Sequence, residues 1–392
     1  MKRIFWLGIA LVYITIIFAT GWSIAYSERN TLPTSVTNEG TPIKGGILKV
    51  ALVKDEPFQG VFLAELYENR YDGQIMAYAS NSIFETDGNF LINDEGIASL
   101  QVNREENKVR IKIRDGVRWS DGEPLKIEDL ILPYEIIGHP DYTGVRYDTE
   151  FKNIIGAEEY HKGEAKTISG IRKIDDLTLE IRFKKLSPAI FSGGDGLWTY
   201  AAPSHQLKDI PVKKLIESDA VRKNPVTLGP FKFHKIIPGE SVQFVKNEYY
   251  WKGEPKLDGV FVQVVPSSSI SVAIGSGKYD IVSGFSATKW PEIQNYNNID
   301  ILGRPELYYS YLGFKLGKWD RAKRQVVTDL TGTPVGDKAL RQAMGYALDV
   351  EAVNEVFYYH YRQRANSLIP PAFNKYHDAT LEGYHYNPKK AN

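Results

Sequence analysis

The stretch "GSGK" at 275–278 has the residue types that end a phosphate-binding loop. Such a loop also needs a Gly five residues before Gly277 and a Ser or Thr after Lys278, so that backbone amides, ammonium and hydroxyl converge on phosphate and metal. Val272 and Tyr279 occupy those positions, and the glycines read instead as a helix C-cap. "SGGDG" (192–196) lacks dinucleotide-site spacing and reads as a flexible turn. The seven His residues, at 139, 161, 205, 234, 360, 377 and 385, show no HExxH or other close ligand spacing, and read as surface or rim residues. Cysteine is absent, which removes thiol nucleophiles, thiolate metal sites and disulfides. Serines occur without a nucleophile elbow, and no carboxylate pair stands out. These residues therefore predict no catalysis, no metal site and no cofactor. The remaining candidates are rings: 24 Tyr, 17 Phe and 7 Trp. They can pack cores and rims, or line a cleft with amphipathic surfaces that hold a ligand at small entropic cost.

The elements that must position these rings span 392 residues, which predicts two or three domains. Lys plus Arg equals Asp plus Glu at 48 each, and that neutrality argues against a dedicated nucleic-acid surface. Lys2 and Arg3 precede the apolar run "IFWLGIALVYITIIFAT" (4–20), and "SIA" (23–25) supplies small residues spaced for cleavage after Ala25. Residues 1–25 thus predict a signal peptide, or an N-terminal membrane anchor if uncleaved. Either route places the body outside the cytoplasm, in the cell envelope or secreted, with membrane association through this segment. Residues 26–43 form a polar, flexible tether.

"GGILKVALV" (45–53) predicts a buried strand. "KVRIKIRDGVRW" (108–119) alternates apolar and charged residues and predicts a hairpin turning at Asp115-Gly116. "SDGEPLKIEDLILPYEII" (120–137) predicts a turn and an apolar helix. Further hairpins are expected at 168–185, turning at Asp175-Asp176, and at 229–247, turning at Pro238-Gly239. A strand is expected at 259–266, a small helix and strand at 268–284, and a strand at 306–316. Residues 337–358 carry apolar residues at helical spacing and predict one helix. Asn387-Pro388 is a helix-entry signal close to the last residue. The mixture predicts an α/β or α+β class.

Four segments in this order, "IRDGVRWSDGEPLKIEDL" (113–130), "NPVTLGPFKFHKIIPGESVQFVKNEYYWKGEPKLDGV" (224–260), "GKYDIV" (277–282) and "LRQAMGYALD" (340–349), carry a resemblance. The chain resembles the extracytoplasmic oligopeptide-binding proteins of ABC importers, in the family that also includes dipeptide and nickel binders. "YYSYLGFKLGKWD" (308–320) and "NSLIPP" (366–371) look like its Gram-positive, peptide-binding branch. The resemblance implies a bilobal periplasmic-binding-protein-like fold with an extra inserted lobe. Lobe I would use 44–80 and 195–300, lobe II 81–194, and 301–392 would form part of lobe III. A peptide would be held extended in a cleft between lobes I and III, through main-chain pairing.

Matching motifs nominate the peptide-binding residues. "YDGQI" (71–75) gives Asp72, Gly73 and Gln74; the segment after "GKYDIV" gives Ser283 and Phe285. The strand entering lobe III gives Tyr309 and Tyr311, and the loop after the lobe II helix gives Tyr147. The partners implied are short peptides and the importer's permease subunits. Three departures stand out. There is no Cys for a lipid anchor. Lys126 replaces a Ser or Thr helix cap, and Pro133 should leave the following helix short or kinked. The family pattern continues past "YNPKKA", which predicts an incomplete C-terminal lobe. Alternative readings are a peptide-pheromone receptor or surface interaction protein, a non-functional truncated remnant, or a nickel or metal-complex binder.

Overall fold

The computed structural model describes residues 32–37, 40–41, 43–304, 306–322 and 325–392. The expected signal or anchor, 1–25, and part of the tether lie outside them. No helix of the described residues is long and apolar enough to cross a membrane. The chain divides into two units, Gly40–Phe285 and Ser286–Asn392, the second including the described residues before position 40.

In chain order the first unit contains β1 (Ile47–Val53), α1 (Arg70–Met76), β2 (Glu85–Thr86), β3 (Ile92–Asn93), β4 (Ala98–Asn103) and β5 (Lys108–Ile113). Then follow α2 (Glu128–Gly138), α3 (Ala157–His161), β6 (Ile171–Asp175) and β7 (Thr178–Arg182). After three one-turn helices (Ser204–Leu207, Val212–Leu215 and Asp219–Arg222) come β8 (Phe231–Ile237), β9 (Ser241–Lys246), β10 (Gly259–Val265), α4 (Ile270–Gly275) and β11 (Ile281–Ser283). Two larger sheets form, in the orders β11-β1-β10-β9-β8 and β4-β5-β7-β6. The second is built wholly from 98–182, inside the stretch expected as lobe II.

β5 shows why this sheet forms. Val109, Ile111 and Ile113 point into the core while Lys108, Arg110 and Lys112 face outward, the period of two that the sequence carries. On the outward face Glu180 of β7 meets Arg110 Nε at 3.0 Å and Arg182 Nε at 3.2 Å. The hairpin expected at Asp115-Gly116 is not there. β5 pairs with β4, which precedes it, and with β7; beyond the turn, Arg118 only bridges Pro124. The Asp-Gly signal is real as a turn, with Gly116 at φ +78°, but nothing after it alternates long enough to make a partner strand. The hairpins turning at Asp175-Asp176 and Pro238-Gly239 form as β6–β7 and β8–β9.

In the first sheet, β1 pairs in parallel with both β10 and β11, and β10 is antiparallel to β9. The "LGPF" motif explains itself here. Gly229 N donates to Ala79 O at 2.7 Å, and a Cβ at 229 would sit 2.4 Å from that oxygen. Only a residue without a side chain allows that approach. The phosphate-loop decoy is a helix end: α4 stops at Gly275, and Gly277, at φ +66°, donates to Ile274 O.

Helix α2 continues for 11 residues with Pro133 inside it, so the proline does not end it as a short helix. Pro133 lacks an N–H for the Asp129 carbonyl. That carbonyl is taken instead by the Ala202 amide at 2.9 Å. The Asp129 carboxylate, 1% exposed, ties down the turn that enters the helix, which has no side-chain cap. It accepts from Lys126 N at 2.9 Å, Trp119 Nε1 at 2.8 Å and Ser204 N at 2.8 Å.

The second unit contains the hairpin β12 (Gly317–Asp320) and β13 (Gln325–Thr328), then α5 (Lys338–Ala347), α6 (Val350–Tyr358) and α7 (Pro388–Ala391). Residues 306–316 form no strand: their alternation is strand-like, but a strand exists only when a neighbour completes its ladder. The single helix expected over 337–358 is two. Leu348 is extended, and Asp349 accepts from Ala352 N at 2.9 Å, so it caps α6 and ends α5 at once. Asn387-Pro388 does start a helical turn. Asn387 Oδ1 accepts from Lys390 N at 3.1 Å, and Asn387 N donates to Tyr346 O at 2.8 Å, which docks α7 on α5.

Candidate functional site

Two buried carboxylates of the first unit, Asp72 and Glu65, and several half-buried rings lie around the segment 59–67. The segment is held from behind by Asp72. This residue is fully buried, and its carboxylate accepts from the backbone amides of Gln59 at 3.0 Å, Gly60 at 3.1 Å and Val61 at 3.1 Å. Asn69 caps α1 by accepting from Tyr71 N at 2.8 Å. Arg222 Nη1 donates to Gln59 O at 3.0 Å and Phe62 N to Val221 O at 3.3 Å. A chain without regular structure is thereby fixed at both ends.

Glu65 lies at the centre, 1% exposed. Its Oε1 accepts from Trp198 Nε1 at 2.7 Å, and its backbone carbonyl accepts from Tyr142 Oη at 2.6 Å. Its Oε2 is buried without a hydrogen-bond partner among the described residues. Burial pushes the Glu65 carboxyl up to about 7, against the opposing pull of its own backbone amide, the Trp198 indole and the Arg146 guanidinium. Arg146 Nη2 donates to Tyr67 O at 3.1 Å, and its guanidinium lies 5.1 Å from the Tyr67 ring centre and 5.8 Å from that of Trp198. Trp198 in turn lies 6.1 Å from Tyr200, whose hydroxyl burial holds above the usual phenol range. Tyr67, Arg146, Trp198 and Tyr200 are all half-buried. The set offers a cation, an acid that exchanges its proton near neutrality, and amphipathic ring faces. It suits reversible contact with main-chain polar groups and apolar side chains.

The residues nominated from sequence divide. Asp72 faces inward, and its carboxylate is committed to the segment it holds. It is not a solvated turn residue, and its neighbours form a helix. Gly73 lies on α1 under Tyr67, whose ring would be 3.0 Å from a Cβ there; Gln74 is exposed on the same helix. Tyr147 is packed: its ring stacks on His161 at 3.7 Å, and burial pushes its hydroxyl up to about 12. Ser283 closes β11, paired with Leu52, and Phe285 follows half-buried. β11 is an edge of its sheet. In the second unit Tyr309 and Tyr311 are 39% and 78% exposed, with rings 6.0 Å apart. Sequence reasoning missed Glu65, Tyr67, Arg146, Trp198 and Tyr200. Tyr67, Trp198 and Tyr200 lie in mostly apolar stretches, 61–67 and 197–202, that carry no spacing signal for a site. Among the described residues no group of three His, Cys, Asp or Glu side chains is placed to hold a metal ion.

The fold, with its parallel core flanked by antiparallel additions and an inserted antiparallel sheet, is that of solute-binding proteins. A structure of lactococcal OppA complexed with an endogenous peptide in the closed conformation superposes with a TM-score of 0.82 at 32% identity, covering 88% of this chain and 66% of that chain. The oligopeptide-binding protein AppA of Bacillus subtilis, in complex with a nonapeptide, gives 0.68 at 23% identity over 90% of this chain and 63% of that one, a likeness of fold. Residues 95–392 match the bacterial extracellular solute-binding proteins, family 5 middle, and the chain belongs to this family. Among curated relatives, the oligopeptide-binding protein OppA of Lactococcus lactis subsp. lactis is 34% identical over 308 residues, 78% of this chain and 51% of that protein. AppA of Bacillus subtilis (strain 168) is 28% identical over 291 residues, 72% of this chain and 46% of that protein. The chain spans about half the length of these relatives.

Proposed function

We propose that the protein binds oligopeptides outside the cytoplasm and passes them to an ABC-type peptide importer. The observation that carries this is the pairing of 34% identity to a lactococcal oligopeptide-binding protein with a TM-score of 0.82 to a lactococcal structure that holds a peptide. Binding is reversible and makes no covalent bond. The peptide lies extended, and the chain around Ser283 and Phe285 at the β11 edge offers main-chain partners to it. In the first unit the exposed Gln74 offers a side-chain contact, and the Tyr67–Arg146–Trp198–Tyr200 set offers rings and charge. Main-chain pairing accepts many sequences, because it leaves side chains loosely specified. The segment 1–25 takes the chain through the membrane and, if retained, keeps it there.

Isothermal titration with pools of short peptides tests this reading. Saturable binding with a dissociation constant of about 1 μM or tighter supports it. Absence of binding to every pool, alongside a folded protein by circular dichroism, contradicts it.

A further inference from the structure

The sheet β4-β5-β7-β6 packs one face on the core and turns the other to solvent, and the solvent face is cationic. Register places Gln101, Arg110, Glu180 and Arg172 in one row across its four strands. Lys108 and Arg182 pair on one side of that row, and Lys112 stands on the other. Glu180, 3% exposed, is the hub. It accepts from Arg110 Nε at 3.0 Å and Arg182 Nε at 3.2 Å, and Lys108 Nζ lies 3.5 Å away. Each of these arginines gives Glu180 its Nε, while its side chain stays about half exposed and keeps the terminal guanidinium nitrogens for an outside partner. Cations are in excess: Lys108, Arg110, Lys112, Arg172 and Arg182 stand against Glu180, Glu106 paired with Lys108, and Asp175 within electrostatic reach of Lys112.

Guanidinium groups oriented by a buried carboxylate suit oxyanions, phosphate above all, which the planar fork meets with two parallel hydrogen bonds. The layout says which carrier of phosphate fits. Same-face side chains stand about 7 Å apart along a strand and about 5 Å apart between strands, so the cations form a grid on an open face that meets many phosphates at once. Ser99, Gln101 and Asn103 of β4 extend the grid without a ring on which a nucleic-acid base could stack. We propose that this face docks on a lipid bilayer whose headgroups carry net negative charge. Arg110, Arg172 and Arg182 meet lipid phosphates, and Lys108 and Lys112 add to the attraction. The choice of a bilayer over other carriers rests on the reading of segment 1–25, which brings the body to a membrane; it makes no use of the peptide reading. The attraction is electrostatic and involves no insertion, so added salt screens it.

The test floats the whole chain with vesicles of phosphatidylcholine, either alone or mixed with an equal amount of phosphatidylglycerol, in low and in high salt. The apolar segment 1–25 partitions into both kinds, so the readout is the preference for anionic vesicles. That preference should be at least about tenfold in low salt and disappear in high salt. Lys112→Gln with Arg172→Gln leaves the Glu180 pairs intact and should cut the preference about tenfold. Lys213→Gln with Lys214→Gln, exposed outside the sheet on the helix Val212–Leu215, removes the same charge and should change it less than about twofold. Circular dichroism should show every variant folded, since these side chains are exposed. No preference for anionic vesicles, an equal loss in both variant pairs, or a preference unmoved by the sheet substitutions overturns the proposal. So does release from anionic vesicles by inorganic phosphate at matched phosphate concentration, which would make the face a site for the free ion. Failure to partition into neutral vesicles, with the anionic preference intact, supports the face and counts only against segment 1–25 as an anchor.

Discussion

Asp72→Ala lowers the unfolding free energy of the first unit by about 3–5 kcal/mol, a large effect for one side chain. The carboxylate is fully buried and takes three backbone amides, from Gln59, Gly60 and Val61. Hydrogen bonds to a charged group contribute about 1.5–3 kcal/mol each, and removing the acceptor strands two buried donors, Gly60 and Val61, and a part-buried one, Gln59. Asp72→Asn keeps one carbonyl oxygen and should cost about half as much. The damage should also be local: amide exchange at 59–61 accelerates, and Tyr67 and Glu65 lose their fixed positions. Urea unfolding followed by hydrogen exchange checks both. A loss below about 1 kcal/mol, with exchange at 59–61 unchanged, would show that the segment is held by something else.

The second large effect concerns pH. Burial raises the Glu65 carboxyl from 4.5 to about 7 in the folded protein, whereas in the unfolded chain it titrates near 4.5. Between those values the folded state holds the proton more tightly. Its contribution to stability is therefore present below the unfolded value and is lost as pH rises through about 7. The difference between the two values corresponds to about 3 kcal/mol at most. Glu65→Gln removes the titration while keeping an oxygen for the Trp198 indole. The unfolding free energy of wild type minus variant should fall by up to this amount between pH 4 and pH 8. Parallel stability curves for the two proteins would contradict the assignment.

Much of the fold was legible because local rules and tertiary structure agree. The alternation of 108–113, the Asp175-Asp176 and Pro238-Gly239 turns, and the apolar run 128–137 each form what their pattern predicts. Failures occur where a partner decides. Residues 306–316 alternate like a strand but pair with no strand among the described residues, and the helical pattern of 337–358 is cut by one cap at Asp349. Pro133 is tolerated because a distant amide, that of Ala202, takes the carbonyl it frees. The family and its reading as a binder came through an order of motifs that are mostly scaffold. The site came through poorly. Glu65 meets Trp198 across 133 positions and Tyr142 across 77, and no spacing rule links them. Asp72 sits beside Gly73, where a turn carboxylate facing solvent is the natural expectation; only burial reveals it as a clamp.

The central claim is that a strand-like peptide, paired with main chain at the β11 edge, is gripped by the rings around the 59–67 segment, without covalent chemistry. Photo-crosslinking with short peptides carrying a benzophenone side chain, mapped by mass spectrometry, tests this most directly. The account predicts adducts on Tyr67, on the 146–147 loop and on 198–200, diminished by unlabelled peptide and by Arg146→Ala. Saturable peptide binding with adducts confined to other segments would contradict it.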